Sequence, residues 1–464
     1  MSLNNRTREQ LQWAKVHAVA MCFFVIFYAF RDLNVYLWLS VNSGYVSTLL
    51  IVFIGFYFYF VKFGYEKESK LLLGYCAVLY ITRLINGDIW LLNDKSRVVE
   101  AVVLLCIFET ALLLDKSQRK KLLLVSCIAI SVYFTVVSVV CIYGSFFSIA
   151  VNNPFCPSIN LMNAQGIDRM EVFGHNPNIA AAWFFVAFWL LLYLFFSVRN
   201  IVCRVVIAGA AILNYVAMTL TYCRNTILAS AVCIALLAAW FLIRCSRIKT
   251  MRMKIISFVI ALCVLMPTIY VGSENIYISF IEISETVKEQ KTITDESGSA
   301  DPTGMAQETE NESERRGFAD TGRIGVYKAV LQTVILEPEK LLTGRLNNNT
   351  LTTVNSLLPA DYLKSNPAGI AHTHNMFMYV LLETGIFGFL AVAAFFICVL
   401  IRMLKLYFNK KSFDKPELIP LVLLLAGLMM YNMLECSLFV YSDVRAYILM
   451  LVAGAVVAYE KECV

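Results

Sequence analysis

The sequence predicts an all-α polytopic membrane protein with about twelve transmembrane helices and one large external loop between helices 9 and 10. Of its 464 residues, 59% are hydrophobic and only 16% are charged, whereas a soluble domain of this length needs more charge on its surface. Apolar runs of about 18 residues recur, and each can cross a hydrocarbon core of about 30 Å. The net charge of +6 does not indicate nucleic-acid binding, because the basic residues lie in short loops between these runs.

The distribution of Lys and Arg predicts the orientation of the chain. With the N-terminus inside, the expected cytoplasmic segments hold 23 Lys and Arg, and the short outer segments hold six. Because basic residues favour cytoplasmic loops, both termini are expected in the cytoplasm. The helices on which this count rests are expected at residues 13–30, 44–62, 71–92, 98–114, 120–148, 177–197, 201–222, 225–243, 254–272, 375–404, 418–438 and 444–459.

The chain is expected to divide into three parts. Residues 1–273 form an N-terminal membrane bundle of helices 1–9, residues 274–373 form the external loop, and residues 374–464 form helices 10–12. Within the loop, residues 282–316 are acidic and rich in small polar residues, which predicts a mobile spacer. Residues 318–345 are expected to form an amphipathic helix on the membrane face, because apolar residues follow a helix start signal at helical spacing. These residues are Ile324, Val326, Tyr327, Val330, Leu331 and Val334.

Ionisable side chains within the expected membrane helices are functional candidates, with structural pairing as an equal alternative. Arg83 is a candidate partner of Glu109 or Glu435; the others are Asp88, Glu100 and Glu383. The sequence has no CxxC motif or Cys/His metal-site spacing. Cys156 and Cys223 both fall on the expected outer side, where a disulfide between them is an open alternative.

Three cationic or titratable residues are expected at one membrane face, each next to a helix N-terminus. Arg224 lies between helices 7 and 8, Arg323 opens the amphipathic helix, and His374 lies where the loop re-enters the membrane. A guanidinium beside the N–H groups of a helix start makes an anion site. Alone, each also fits an ordinary role, as an interface anchor, a solvated charge or a helix cap. Their combination indicates a function.

The motifs around these residues occur in a characteristic order. TYCRNTILA follows the expected seventh helix, TGRIGVYKAVL and LLTG lie in the loop, and HTHNMFMYVLLETGIFGFL begins the expected tenth helix. Together they resemble the O-antigen ligase/polymerase family of bacterial enzymes, with FGHNPNIAA as a weaker match. The resemblance covers residues 170–395 in detail. Cys223 stands where the family has serine, and Tyr327 stands where tryptophan is frequent.

The resemblance implies a metal-independent, inverting membrane glycosyltransferase of surface polysaccharide assembly (O-antigen, capsule or exopolysaccharide). Its donor would be an undecaprenyl-diphosphate-linked glycan, and its acceptor a sugar hydroxyl of a glycan or glycolipid. The enzyme would lie among membrane lipids in the bacterial plasma (inner) membrane, multi-pass, with its active site on the outer face. No cofactor and no nucleic-acid partner are expected.

The motifs assign the catalytic roles to His374, Arg224 and Arg323. Two arginines would hold the diphosphate, because the planar guanidinium binds phosphate oxygens and stays charged. The histidine would accept the proton of the acceptor hydroxyl, since imidazoles ordinarily titrate near neutral pH. Besides the two arginines, the expected substrate-binding residues are His372, Asn375, Asn176, Asn178 and His175.

Two questions stay open at this level. The choice between ligase and polymerase is one, because no motif identifies the acceptor. The other is a different class, a polytopic transporter or flippase of lipid-linked sugars, which a chain of about twelve helices also suits. Transporters tend to have repeated halves and midplane sites. Here the halves look unrelated and the candidate residues gather at the outer face, which favours the enzyme.

Overall fold

The computed structural model of the protein describes most of the chain beyond residue 65. The expected first two helices, 13–30 and 44–62, lie outside the described residues. The described ranges are 66–86, 97–147, 151–152, 160–163, 170–172, 176–244, 250–296, 323–344, 349–360, 363, 369–370, 373–409, 415–435, 438 and 444–463.

Helices account for most of the described residues, and they occur where the apolar runs predict them. Each of the ten expected helices that falls in this part of the chain has a counterpart. Named in chain order, the helices are α1 Lys67–Ile85, α2 Arg97–Leu113, α3 Lys116–Phe147, α4 Pro177–Ser197, α5 Ile201–Leu220, α6 Arg224–Arg244, α7 Met251–Ile260, α8 Met266–Glu296, α9 Arg323–Leu336, α10 Pro338–Thr343, α11 Asn349–Ser356, α12 Met376–Phe408, α13 Leu418–Leu434 and α14 Val444–Cys463.

Six helical segments in the described part of the chain are long and apolar enough to cross a membrane. They are α3, α4, α5, α6, α12 and the segment Phe258–Ile283, which runs through the π-helical stretch Ala261–Leu265 between α7 and α8. On α5, Ile201 and Val202 are 69% and 67% exposed, which is the pattern of a lipid-facing surface. The chain is therefore a multi-pass membrane protein, and the count of about twelve spans stays a prediction.

The core of the bundle is centred on α4. This helix packs against α3, α5 and α13, and it is buried around most of its circumference, including the indoles of Trp183 and Trp189. A helix that is apolar on all sides is expected in the interior. Around it, α14 packs on α2 and α12 packs on α1. Helix α4 is consequently surrounded by helices that precede it and helices that follow it in the sequence.

The all-α prediction omitted a small sheet in the segment before α4. Strands β1 Val151–Asn152, β2 Asn160–Asn163 and β3 Glu171–Val172 pair antiparallel in the order β1-β2-β3. Strands this short carry no readable alternation of polar and apolar residues, so the sequence pattern could not reveal them. The neighbouring Met170 N–H donates to the carbonyl of Leu220 at 3.5 Å, which joins the sheet to the end of α5.

The ninth helix, expected at residues 254–272, extends well beyond its predicted end. Helix α8 continues to Glu296, so the first part of the expected mobile spacer 282–316 is helical; residues 297–322 lie outside the described residues. Glu, Lys and Gln are frequent in this stretch, and these residues favour helix even where the surroundings are polar. Acidic composition alone therefore did not exclude a helix here.

The expected amphipathic helix 318–345 is two helices. It breaks between α9 and α10 at Glu337, immediately before Pro338, because proline cannot continue a helix but suits its first position. One face of α9 is buried in a small core with α11 and α12, which includes Val326, Val330, Val354 and Leu382. A second stripe stays exposed, including Ile324 at 58%, Leu331 at 45% and Ile335 at 75%.

A pair of glycines joins the loop to a break in α12. Helix α12 is kinked at Gly385, which has a φ of 69°, and Gly344 at the end of α10 has a φ of 67°. A Cβ on Gly385 would lie 2.5 Å from the carbonyl oxygen of Leu341, and one on Gly344 would overlap the carbonyl of Glu383. Only glycine tolerates this backbone and this approach. The loop is thereby held directly against the membrane helix.

Arg83 has a different partner from the two that the sequence suggested. Its Nη2 lies 3.8 Å from Oε1 of Glu383, and Nε of Arg97 lies 3.4 Å from the same oxygen. Glu383 is 3% exposed; two nearby guanidiniums offset the cost of burying its carboxylate. Glu435, one of the two expected partners, takes part in another cluster.

Candidate active site

A carboxylate at the end of α13 connects three side chains from distant parts of the chain. Glu435 Oε1 accepts hydrogen bonds from Arg323 Nη2 at 2.6 Å and from Asn178 Nδ2 at 2.9 Å. Its other oxygen, Oε2, lies 3.1 Å from His374 Nδ1. The side chain of Glu435 is 5% exposed, that of Arg323 is 17% exposed and that of His374 is 25% exposed. These four residues, the Glu435 cluster, are partly or largely sheltered from solvent.

His374 stands immediately before α12 in a strained backbone conformation. Its φ is 52°, in the left-handed region that residues other than glycine seldom adopt. The next residue, Asn375, caps the helix, because its side-chain oxygen accepts from the N–H groups of Phe377 at 2.9 Å and Met378 at 3.1 Å. Tyr327 of α9 donates its hydroxyl to the carbonyl of His374 at 3.2 Å. The helix cap and the loop together hold the strained histidine in place.

The two asparagines before and within α4 have separate tasks. Asn176 is the N-cap, and its side-chain oxygen accepts from the N–H of Asn178 at 2.9 Å. Asn178 reaches Glu435 with its side chain, and its carbonyl accepts a hydrogen bond from the hydroxyl of Tyr431 at 3.1 Å. Arg445, which is 1% exposed, donates to the same Tyr431 oxygen at 2.8 Å. The Glu435 cluster is thus supported by a buried polar chain from α14.

Arg224 lies at the same end of the bundle as this cluster. Helix α4 begins at the cluster. After the short connection 198–200, α5 runs back beside α4, so that the end of α5 and the start of α6 lie at the end of the bundle where α4 begins. Arg224 is the first residue of α6, and its Nη2 donates to the hydroxyl of Tyr222 at 3.3 Å. The structure therefore brings Arg323, His374 and Asn178 together, and it places Arg224 at that end with a different hydrogen-bond partner.

The remaining expected residues contribute in other ways or cannot be placed. Asn375 is a helix cap whose amide also donates to the carbonyl of Met433 at 2.8 Å. Cys223 is buried, and its sulfur accepts a hydrogen bond from the hydroxyl of Thr226 at 3.2 Å. His175, His372, Cys156 and Asp88 lie outside the described residues.

Three residues of this region were not recognised as site residues from the sequence. Glu435 was considered as an ionisable group at membrane depth and as a candidate partner of Arg83, and the first of these signals is the one that indicates a functional site. Tyr431 and Arg445 carried no signal, since a tyrosine and an arginine near helix ends are common at membrane interfaces. Within the described residues, no group of three or more His, Cys, Asp or Glu side chains is arranged to hold a metal ion.

The fold and this cluster define a class: a multi-pass helical membrane protein that gathers an arginine, a histidine and a carboxylate at one end of its bundle. Residues 209–393 match the model of the O-antigen ligase family. This match confirms the resemblance to the O-antigen ligase/polymerase family that the motifs indicate for this part of the chain. The matched region includes Arg224, Arg323 and His374, whereas Asn178 and Glu435 lie outside it.

No curated protein matches the chain. The match to the O-antigen ligase family by itself supports a membrane role in polysaccharide biosynthesis, as a ligase or polymerase.

Proposed function

We propose that the protein is a membrane glycosyltransferase that moves a glycan from an undecaprenyl-diphosphate-linked donor to an acceptor sugar hydroxyl at the outer face of the bacterial plasma membrane. One observation carries the proposal: Glu435 holds Arg323 at 2.6 Å and His374 at 3.1 Å. A phosphate-binding cation and a proton acceptor thus lie on the two oxygens of one carboxylate. The match to the O-antigen ligase family supplies the class of reaction.

His374 is the general base of the proposal. Glu435 Oε2 lies beside Nδ1 of the imidazole. A neutral imidazole that donates its Nδ1 proton to a carboxylate keeps its lone pair on Nε2, where it can accept a proton from a hydroxyl. The carboxylate also stabilises the imidazolium that forms. Glu435 is therefore a positioning residue, and His374 is the residue that meets the acceptor.

The two arginines bind the diphosphate of the donor. Arg323 uses Nη2 for Glu435, and a guanidinium has five N–H donors, so the same side chain can also bind phosphate oxygens. Arg224 contributes a second guanidinium at the start of α6, where the helix N–H groups also favour an anion. Stabilising charge on the leaving group is typically the largest catalytic contribution, about 2.7–4 kcal/mol for each donor removed.

The reaction exchanges one bond at the anomeric carbon. The acceptor hydroxyl oxygen attacks C1 of the donor sugar while the bond from C1 to the phosphate oxygen breaks. The hydroxyl proton passes to Nε2 of His374, and the electron pair of the broken bond leaves with undecaprenyl diphosphate. The attack comes from the face opposite the leaving group, so the configuration at C1 is inverted. No metal is assigned a step.

The distribution of basic residues supports an active site on the outer face. The Glu435 cluster and Arg224 lie at the end of the bundle where the expected outer segments hold few Lys and Arg. The other end has more basic residues, which favours the cytoplasm. In this orientation both termini are cytoplasmic, and residues 274–373 form a loop outside the membrane between the helices of residues 1–273 and those of residues 374–464.

The decisive experiment uses the purified protein and a lipid-linked repeat unit. A ladder of lengthened glycans without any added acceptor identifies a polymerase. Transfer only when a separate glycan or glycolipid is added identifies a ligase. His374→Ala should abolish either product. His17→Ala, at the histidine of the expected first helix, is the matched control and should transfer normally.

The same preparation separates the enzyme from the transporter. Glycan transfer in detergent needs no sealed compartment, whereas counter-transport of a lipid-linked sugar requires liposomes. Counter-transport by a protein that makes no new glycosidic bond would overturn the proposal. If His374→Ala transferred glycan at the wild-type rate, the histidine would have no part in the mechanism, and the class of reaction would stand.

A further inference from the structure

The turn between α5 and α6 contains a strained tyrosine. Tyr222 has a φ of 48°, and its N–H donates to the carbonyl of Thr219 at 2.9 Å. A bulky residue in the left-handed region is an outlier. Such a conformation persists only where the surroundings enforce it, and it is frequent at ligand-binding sites. The neighbours of Tyr222 show what enforces it.

The ring of Tyr222 is stacked on a second tyrosine. Its centroid lies 4.2 Å from that of Tyr277, and the two ring planes differ by 16°. Tyr277 is 9% exposed and belongs to α8, the helix that leads into the long loop. Stacked aromatic pairs of this kind contribute beyond their buried area. The stack therefore ties the turn before α6 to the helix from which the loop departs.

The guanidinium of Arg224 rests on this stack. Nη2 donates to the Tyr222 hydroxyl at 3.3 Å, and Cζ lies 5.3 Å from the centre of the same ring. An arginine side chain has many rotamers, and fixing it costs conformational entropy when a ligand binds. Contacts to one phenol through both its hydroxyl and its ring restrict the guanidinium before any ligand is present.

We propose that Tyr222 is a positioning residue that holds Arg224 ready for the diphosphate of the lipid-linked donor, with Tyr277 holding Tyr222 in turn. The inference rests on the proposed function. It adds that Tyr222 sets the position of Arg224, the second of the two arginines that bind the diphosphate. Pre-organisation of this kind raises affinity by lowering the entropic cost of binding. The helix that begins the outer loop thereby contributes to the donor site through a stack of two rings.

The test is a double-mutant cycle on donor binding. The purified protein is titrated with undecaprenyl diphosphate, and the dissociation constants of wild type, Tyr222→Phe, Arg224→Ala and the double variant are compared. Tyr222→Phe keeps the ring stack and removes the hydroxyl, and it should weaken binding by about tenfold. Tyr277→Leu, which removes the stacking partner, should weaken it by a similar factor. In the Arg224→Ala protein, Tyr222→Phe should have no further effect.

A tyrosine on α5 provides the matched control. The hydroxyl of Tyr215 also joins α5 to α8, through a 2.7 Å hydrogen bond with Ser273, and its removal in Tyr215→Phe should leave binding unchanged. If Tyr222→Phe lowered the affinity equally in the wild-type and the Arg224→Ala protein, the tyrosine would act without the arginine. This result would overturn the positioning role of Tyr222 and leave the proposed function intact. Undiminished binding by Arg224→Ala would also overturn the assignment of Arg224 to the donor. Absence of glycan transfer by the wild-type protein is a separate result and refutes the enzyme itself.

Discussion

At the residue scale, the two oxygens of Glu435 have different hydrogen-bond partners, and the proposed chemistry depends on this difference. Oε1 accepts from Arg323 and Asn178, and Oε2 faces His374. A carboxylate only accepts hydrogen bonds, so every neighbouring nitrogen must present a proton to it. The Nδ1 tautomer of the histidine and the direction of the Arg323 fork are thus set by one group.

Replacement of Glu435 by glutamine should inactivate the enzyme with little change in shape. The NH2 group of the glutamine amide would face either His374 or Arg323. If it faces Nδ1 of His374, it donates to that nitrogen and the imidazole proton moves to Nε2. If it faces Arg323, it repels the guanidinium. General base catalysis contributes about 10²–10⁴-fold, so we expect Glu435→Gln to lower kcat by about 10²-fold or more, measured by glycan transfer. Glu417→Gln, at the other end of α13, should retain full activity. Normal transfer by Glu435→Gln would show that His374 does not depend on this contact.

At the scale of elements, the structure couples the long loop to the membrane bundle by a backbone contact. Helix α10 ends at Gly344 against the kink of α12 at Gly385, and the amide of Asn86 beyond α1 reaches the carbonyl of Thr343 at 3.5 Å. The loop helix α9, which carries Arg323, is separated from α10 by Glu337 alone. We therefore expect the position of Arg323 beside His374 to depend on this contact between α10 and α12.

Alanine at either glycine should loosen the loop. Gly385→Ala adds a Cβ at 2.5 Å from the Leu341 oxygen and forces a residue with a Cβ to adopt a φ of 69° and a ψ of −166°, a conformation that costs about 1–3 kcal/mol. We expect a lower melting temperature of the purified protein and reduced glycan transfer, and a similar result for Gly344→Ala. Gly209→Ala is the control, because nothing lies within 4 Å of its added Cβ. Unchanged stability and activity in Gly385→Ala would mean that the contact between α10 and α12 does not position Arg323.

The two ends of the whole molecule hold different ionic groups. At the end opposite the Glu435 cluster, Arg402 Nη1 donates to Glu460 at 2.7 Å and Nε donates to Glu68 at 3.1 Å, and Lys461 pairs with Glu66. This network joins α12, α14 and α1. Charges buried at a bundle end are stable only when paired. The cluster at one end and this network at the other hold the helices against each other. The orientation of the bundle in the membrane decides which of the two ends faces outward.

Fusions to reporter proteins test that orientation. Green fluorescent protein joined after Val464 should fluoresce, because the C-terminus is expected in the cytoplasm. Alkaline phosphatase inserted within residues 297–314 should be active, because it needs the disulfides that form outside. The reverse pattern would place Arg224 and the Glu435 cluster on the cytoplasmic side and contradict an outer active site. Matched insertions in the 245–249 connection, expected inside, should give inactive phosphatase.

The amino-acid sequence by itself determined the class of fold and the three residues around which the site is proposed. A membrane-crossing helix needs about 20 apolar residues, so α4, α5, α6 and α12 could be read directly from composition, and polar residues at their ends stood out. The apolar signal is missing from segments of polar composition and from very short strands. The end of α8 at Glu296 and the small sheet were therefore not predicted.

Only the tertiary structure decided which of those polar residues meet. Glu435 is separated along the chain from Asn178 by 257 residues, from Arg323 by 112 and from His374 by 61. No local periodicity reports contacts at such separations, because they depend on how α4, α12 and α13 pack and on where the two glycines hold the loop. The same packing places Tyr222 on Tyr277 and thus gives Arg224 a fixed neighbour.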